Sequence, residues 1–448
     1  MSLVFILLII TLILPLLSYL GYFSRVPRLD NAISLANVAL ALYLYEFIPY
    51  AGPFYVDFTT WVFILMVTSI HLLSQVYSKS YFRNQEIWIG ENLFNLLLAL
   101  FTTSMLFSLE INNLGLMWVG IEATTISSAL LLMTEKTETS AEATWRYIVI
   151  VSAGVTFAFI SIILIYYSIG TLQISSILAM KAVPTLTLNV AVAIALIGFG
   201  TKVGVFPVHT WLPDAHSEAP SPISAMFSGV LLPTALYVLY RIYEIDPLRD
   251  LFVWAGVISV IAASLFLGYQ TRYKRMFAYS TMENMNIALV GMAVGGQYGL
   301  IGALLLLLSH SFGKAGAFYS SGSILRYTGN KMIDGVRGLW KSMPETSSAL
   351  LLSSFAVTGT PPFGTFFGEF LIFYSLFTVH YYAQLVLLLF FVMAAFISVN
   401  YNITKMVFHG EAEKNGEEEP VMSGLALLSS AIPLLIGIIY VVVTIGAL

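Results

Sequence analysis

Apolar runs of about twenty residues recur along this chain, separated by short polar stretches. Runs of that length match the hydrocarbon core of a bilayer and read as membrane-spanning helices. Fourteen are predicted, over 3–22, 30–48, 59–78, 92–108, 113–133, 146–168, 187–215, 222–241, 251–270, 277–294, 298–325, 347–379, 382–407 and 422–446. The first run, Val4–Leu20, has neither a basic leader nor a small-residue cleavage site, so it reads as a span and not as a signal peptide. The expected fold is an all-α polytopic membrane protein, a single membrane domain over 1–448.

Two runs are too long for one straight helix, and both carry breakers. The seventh contains Gly204 and Pro207; the twelfth contains Gly359, Pro361, Pro362 and Gly364. Broken backbone at membrane depth is tolerated only where protein or water surrounds it, and it marks ion paths in transporters. The positions of the breaks predict two five-helix repeats, 92–241 and 249–407, each broken in its fourth helix. Five helices per unit force the second repeat to be inverted. A membrane-embedded acid falls on the second helix of each, Glu122 and Glu283. Residues 1–91 then form N-terminal helices and 422–448 a C-terminal helix.

Charge fixes the orientation. Counting Arg146 at the start of span six, fifteen of the 20 basic residues lie on one side, among them Arg25, Lys136, the Arg272–Arg275 cluster and Lys414. Three (Lys181, Arg241 and Arg249) lie on the other, and Lys202 and Lys314 remain inside spans. The positive-inside rule then places the basic loops in the cytoplasm and both termini outside. The segment 409–420 reads as a short, solvated acidic loop.

Composition agrees: 58% of the 448 residues are hydrophobic and 10% charged, with a mean hydropathy of +0.86. There is no cysteine, which excludes thiolate-held iron–sulfur clusters, disulfides and thiol catalysis in this chain. The six histidines show no haem or zinc spacing. No cofactor or metal is expected here, and any electron carriers belong to other subunits.

The informative residues are the ionisable ones inside the spans. Lys202 ends the apolar run VAVAIALIGFG, and Glu122 sits in WVGIEATTISSALLL. His310 and Lys314 are four apart, on one face of span eleven. Glu369 follows the Pro-Pro break in TGTPPFGTFFGEF, and Glu283 lies in AYSTMENMNIALV. A lysine at bilayer depth costs about 2.5–3.5 kcal/mol on insertion scales, so such residues are functional by default. Burial disfavours the charged form and an opposite charge favours it. A lysine held between these effects exchanges its proton when its partner's charge moves. Glu122 is the candidate switch for Lys202. A purely structural Glu–Lys tie between helices is the competing reading. His310 divides evenly between relay and helix contact, as does Glu283 between relay and headgroup contact. His209 divides in the same way, Asp214 reads first as a tie in the WLPDAH turn, and His71 reads as structural.

The segment KVGVFPVHTWLPDAHSEAPSPISAMFSGVLL resembles the antiporter-like membrane subunits of respiratory complex I, Mrp-type cation/proton antiporters and energy-converting hydrogenases. WVGIEATTISSALLL resembles that family's glutamate helix, GFGTK its lysine helix, SHSFGKAGAFYSSGSIL its central histidine/lysine helix, and GTPPFGTFFGEF its second broken helix. Within the family, SGVLLPTALYVLYR and RMFAYSTMENMNIALVGMA look most like the component F branch of hydrogenase-4, from formate hydrogenlyase-type complexes. The resemblance covers nearly the whole chain and implies fourteen helices with two inverted repeats. Several complex I members carry a lysine where this chain has Pro233. A bridge from Lys202 towards Lys314 would then use water, His310 or hydroxyls. The chain ends after span fourteen, without the lateral helix of the largest relative, which implies assembly on neighbours.

Three functions are compatible with these residues. The first is a proton- or sodium-translocating subunit of a membrane-bound redox complex. The resemblance implies other membrane subunits of the same complex and a peripheral redox arm as partners, with the iron–sulfur or nickel–iron centres in its soluble subunits. The second is a secondary cation/proton antiporter without redox coupling. The third is a structural membrane anchor, against which the number of embedded charges argues. Nothing points to nucleic acid. The expected location is the cytoplasmic membrane.

Overall fold

The predicted apolar runs are helices in the computed structural model. It describes residues 3–446 apart from 24–25, 27, 84, 86, 136, 181–182 and 411–417. Arg25, Lys136, Lys181, Lys414 and most of the acidic loop lie outside the described residues. In chain order the helices are α1 (Leu3–Tyr22), α2 (Leu29–Tyr43), α3 (Phe58–Tyr81), α4 (Glu91–Glu110), α5 (Leu114–Leu132), α6 (Glu138–Ile169) and α7 (Ile174–Met180). The two pieces of span seven and the helices after them follow as α8 (Leu186–Val203), α9 (Leu212–Glu218), α10 (Ser221–Met226), α11 (Leu232–Tyr243) and α12 (Arg249–Leu267). The remainder are α13 (Tyr273–Val294), α14 (Gly296–Thr328), α15 (Leu339–Ser342), α16 (Pro344–Val357), α17 (Gly364–Thr378), α18 (Tyr382–Phe408) and α19 (Pro420–Gly446).

Eleven helices among the described residues are long and apolar enough to cross a bilayer. The other predicted spans are occupied by the short α2, the more polar α13 and the broken pair α16/α17. This is an all-α polytopic membrane fold. Both predicted breaks are present, between α8 and α9 and between α16 and α17.

Three local features depart from the expected spans. Span two stops at Tyr43, not at 48, passing through a 3₁₀ turn, Leu44–Phe47. Pro49 forces Ile48 into the extended conformation (φ −90°, ψ 147°), which ends the helix. A small hairpin follows, β1 (Tyr50–Ala51) with β2 (Tyr55–Val56). Span eight carries a π turn at Phe227–Leu231, just before Pro233. Proline lacks an amide hydrogen and clashes with the carbonyl four residues back, so a wider turn absorbs it.

The contacts fall into two units. One comprises Met1–Val76, Asn84–Trp211 and Val230–Leu251; the other comprises Tyr77–Arg83, Leu212–Gly229 and Phe252–Leu448. In the first, α6 packs along α8, with α4 on α5 and α1 on α2 and α4. The α6–α8 contact depends on small residues: a β-carbon on Gly198 would lie 2.5 Å from the Ala158 nitrogen. Close helix approach through such residues is the usual device where lipid supplies no hydrophobic drive. In the second unit α14 is the central post, packed by α13, α16, α17 and α19.

Charge counting along the sequence places Arg241 among the loop cations. It lies in the last turn of α11, with 1% of its side chain exposed. Its guanidinium bridges Asp57, just ahead of α3, and Glu244 at 2.8 Å. It also stacks over Tyr55 and Tyr237, at 5.3 and 4.9 Å from the ring centroids. The Tyr237 hydroxyl meets Thr60 at 2.8 Å. Arginine suits such a site because its planar fork serves two carboxylates while its faces stack. Burial disfavours the ionised Asp57, but the charge and hydrogen bonds of Arg241 outweigh it and hold the carboxyl below its usual range. A depressed folded pKa gives stability that is full above the unfolded value, about 3.9, and lost as pH falls below it. Asp57→Asn should cost about 1–2 kcal/mol at neutral pH. It should also remove the corresponding part of the acid destabilisation below about pH 4, as read by thermal melting in detergent.

Candidate functional site

In the first unit the site is built by the end of a helix. Lys202 lies in the last turn of α8, and Gly204 follows at φ 91°. That left-handed conformation suits glycine, and it lets the amides of Gly204 and Val205 both bond the Gly200 carbonyl, at 2.9 and 2.8 Å. The chain therefore turns away directly after Lys202. A cation at a helix C-terminus also meets the negative end of the backbone dipole.

Lys202 is fully buried. Its ammonium donates to the Ile121 carbonyl at 2.7 Å, Thr124 Oγ1 at 2.6 Å and Thr125 Oγ1 at 2.7 Å. Three donors thus meet three neutral oxygens, all on α5. Glu122 stands beside these acceptors in sequence, and its charge acts on Lys202. Among the described residues the two form no ion pair. Instead Glu122 Oε1 accepts from Ser152 Oγ at 3.4 Å, and its buried Oε2 has no hydrogen-bond partner. The lysine is solvated by hydroxyls and biased by a nearby carboxylate.

A line of hydroxyls continues from this cradle. Ser128, one turn along α5 from Thr124, meets the Tyr147 hydroxyl of α6 with its Oγ at 2.7 Å. Tyr147 packs on Trp211 at 4.9 Å, and the Trp211 indole donates to the Thr201 carbonyl at 2.7 Å. The break is thereby tied to the residue preceding Lys202. His209, in the break, is 4% exposed and lies 5.6 Å from the Phe206 ring.

The second unit solves the same problem differently. Lys314 on α14 is fully buried; it donates to the Phe277 carbonyl at 2.9 Å and lies 5.6 Å from that ring's centroid. Its electrostatic partner is Glu283 on α13, which also feels Glu369 on α17. Glu283 is 3% and Glu369 6% exposed, so both carboxylates are buried within the protein. Glu369 packs against the second break: a β-carbon on Gly359, at φ 63°, would sit 2.2 Å from its Oε2. His310 is fully buried one turn from Lys314, and its ring nitrogens make no hydrogen bond. Asp214 is not part of this group; it pairs with Arg275 at 2.8 Å, towards the surface.

Several participants were not anticipated. Thr124, Thr125 and Ser128 recur at helical spacing on an apolar helix, a signal present in the sequence but carried equally by ordinary small-residue packing. Tyr147 and Trp211 gave no signal apart from their aromatic character. His216 is buried in the second unit, 5.3 Å from and nearly parallel to Phe318, in the field of Lys314. Glu110 is fully buried at the end of α4 and accepts from Thr11 at 2.7 Å.

The family described as NADH:quinone oxidoreductase/Mrp antiporter, transmembrane, matches residues 111–398. The chain belongs to this family. The matched stretch contains Glu122, Lys202, Glu283, Lys314 and Glu369. A hydrogenase-4 component F homolog from Methylacidiphilum infernorum is 32% identical over 385 residues, covering 81% of each chain. A subunit of the archaeal membrane-bound sulfane sulfur reductase has the same fold: TM-score 0.86, 24% identity, 97% of this chain and 94% of that one. A subunit of the Mrp complex of Dietzia sp. DQ12-45-1b also shares it: TM-score 0.87, 19% identity, with 99% and 96% covered.

The hydroxyl cradle makes a specific energetic prediction. Thr124→Val/Thr125→Val keeps side-chain shape and removes two of three acceptors. With Lys202 present the pair should cost about 1–3 kcal/mol per lost acceptor. In a Lys202→Met background most of that cost should vanish, because no buried donor remains. Thermal midpoints of the four proteins in detergent measure the coupling, and an equal cost in both backgrounds would contradict it.

Proposed function

We propose that this protein is an antiporter-like subunit that translocates protons, or sodium, in a membrane-bound redox complex of the energy-converting hydrogenase or complex I type. The observation that carries the reading is Lys202, a fully buried amine held by neutral oxygens with Glu122 alongside. Glu122's charge acts on Lys202, and an interaction of about 1.4 kcal/mol is enough for a tenfold change in a protonation equilibrium. Neutralising or displacing Glu122's charge therefore moves the Lys202 proton, and the neutral cradle tolerates the amine in either state.

Lys314 serves as the central station, with His310 one turn away, and Glu369 as the terminal group. Glu283 stands between them electrostatically and is assigned to the same relay. His209 belongs with the first break, and Asp214 remains a tie. The hydroxyl line of Thr124, Ser128 and Tyr147 supplies protons to Lys202 from the end of α6 where Arg146 lies. In this reading the protein is a multi-pass subunit of the cytoplasmic membrane with both termini outside. Its two repeats are 92–241 and 249–407, with metal centres confined to a peripheral arm and other membrane subunits beside it. The component F relative favours redox coupling over a free-standing antiporter, since the Mrp likeness carries fold alone.

Lys202→Ala and Glu122→Ala should each abolish ion translocation in vesicles while the complex still assembles. Normal translocation by both would refute the assignment. Gly359→Ala should lower translocation strongly with every charge intact, because its β-carbon strains the break and displaces the Glu369 carboxylate. Its test is the same vesicle assay, normalised to complex content.

A further inference from the structure

Helices α1–α4 hold a polar cluster that uses none of the groups in the Lys202 arrangement. His71 on α3 is 2% exposed. Its Nδ1 lies 2.8 Å from Thr102 Oγ1 on α4, and that oxygen lies 2.9 Å from the Leu98 carbonyl. A hydroxyl has one proton, and a carbonyl can only accept. The Thr102 proton therefore goes to Leu98, and His71 Nδ1 carries a hydrogen and donates it to Thr102. This tautomer leaves Nε2 as a bare lone pair, and Nε2 is buried with no hydrogen-bond partner.

His71 lines a cavity of about 10 Å³ with Ser18, Tyr22, Gln75 and Asn95, close to the minimum space for one water. Gln75 follows His71 by one turn. It bonds Ser18 at 2.8 Å, Ser34 at 2.5 Å and Asp30 at 3.1 Å. At the outer edge Tyr22 donates to the Glu91 carboxylate, and Asn95 donates to the Glu91 carbonyl at 2.9 Å. Glu91 is exposed. A polar route thus runs from an exposed carboxylate to a buried basic nitrogen. The titratable groups around it are Tyr19 and Tyr22 from α1, Asp30 from α2 through Gln75, and Glu91 from α4 through Tyr22; no cation lines the cavity among the described residues. A buried nitrogen without a hydrogen-bond partner calls for an explanation beyond packing, and His71 lines a polar cavity.

We infer that His71 is a second protonation site of this subunit, loaded from the Glu91–Tyr22 end through water in the cavity. Protonation adds a positive charge on the α4 side of α5, the helix that carries Glu122. The site thereby biases the Lys202 switch according to proton supply, and the inference rests on the translocation reading.

The test is ion translocation by the intact complex in vesicles, followed over about pH 5–8, the range in which imidazoles act. His71→Gln keeps a polar group at Thr102 but takes up no proton, so a packing role predicts wild-type behaviour. The expected result is a several-fold lower rate and the loss of one ionisation from the pH profile. A second variant, Glu91→Gln with Tyr22→Phe, alters only the outer edge and should slow translocation in the same direction. Wild-type rates and profiles in either variant overturn the inference. Lys202→Ala in the same vesicles separates the levels. If it is inactive while His71→Gln is normal, only the His71 assignment fails; if it and Glu122→Ala are both active, the translocation reading itself fails.

Discussion

An ammonium group in hydrocarbon has three N–H donors and no solvent to receive them, and this constraint organises the first unit. Lys202 meets it with one carbonyl and two hydroxyls, all from α5. Meeting it requires α8 to end where it does. Gly204 turns the chain away, and the Trp211 indole pins the break to the Thr201 carbonyl. It also requires α6 and α8 to lie close: a β-carbon on Gly154 would lie 2.5 Å from the Thr201 side chain. The glycines, the break and the threonines are parts of one solution.

In the second unit the same chemistry has a different balance. Lys314 has one hydrogen bond and an aromatic face, with Glu283 acting on it and Glu369 acting in turn on Glu283. A poorly solvated amine depends on the charge state of its neighbours more than a well-solvated one does. Glu369 depends in turn on the shape of the second break, because its carboxylate occupies the space a side chain at Gly359 would take. Backbone irregularity and charge are coupled at both breaks, although the broken helix carries the lysine in one and the glutamate in the other.

The fold was legible because bilayer thickness imposes a length on every span, and breakers inside long runs locate the irregular ones. The boundary of span two failed where proline chemistry acted locally, at Pro49, whereas the ends of span eight agree with expectation and Pro233 is marked only by a π turn inside it. Arg241 was misplaced because hydropathy and charge counting cannot distinguish a loop cation from one buried at a helix end. The named ionisable residues were legible because charge is rare in such a chain. Their immediate partners were not. Thr124 and Thr125 look like ordinary small polar residues until α8 is laid against α5. His71 reads as structural for the same reason: its cavity is assembled from residues scattered from Ser18 to Asn95 on helices distant in sequence.

The separation of Lys202 from Glu122 also argues for movement of charge and against mere fastening. A close buried ion pair is hard to break, since removing one charge strands the other, at about 3–5 kcal/mol. Such a pair holds helices together but resists titration. Here the lysine's hydrogen bonds go to groups that cannot ionise, and the glutamate's Oε2 is free of any bond. Each can change charge without breaking the other's contacts, while the field between them still links their protonation. Fastening in this unit falls to Arg241, whose bridges to Asp57 and Glu244 are direct and close. Within one unit, then, one charge is paired directly and the other is held by neutral oxygens, which is the division of labour the proposed relay requires.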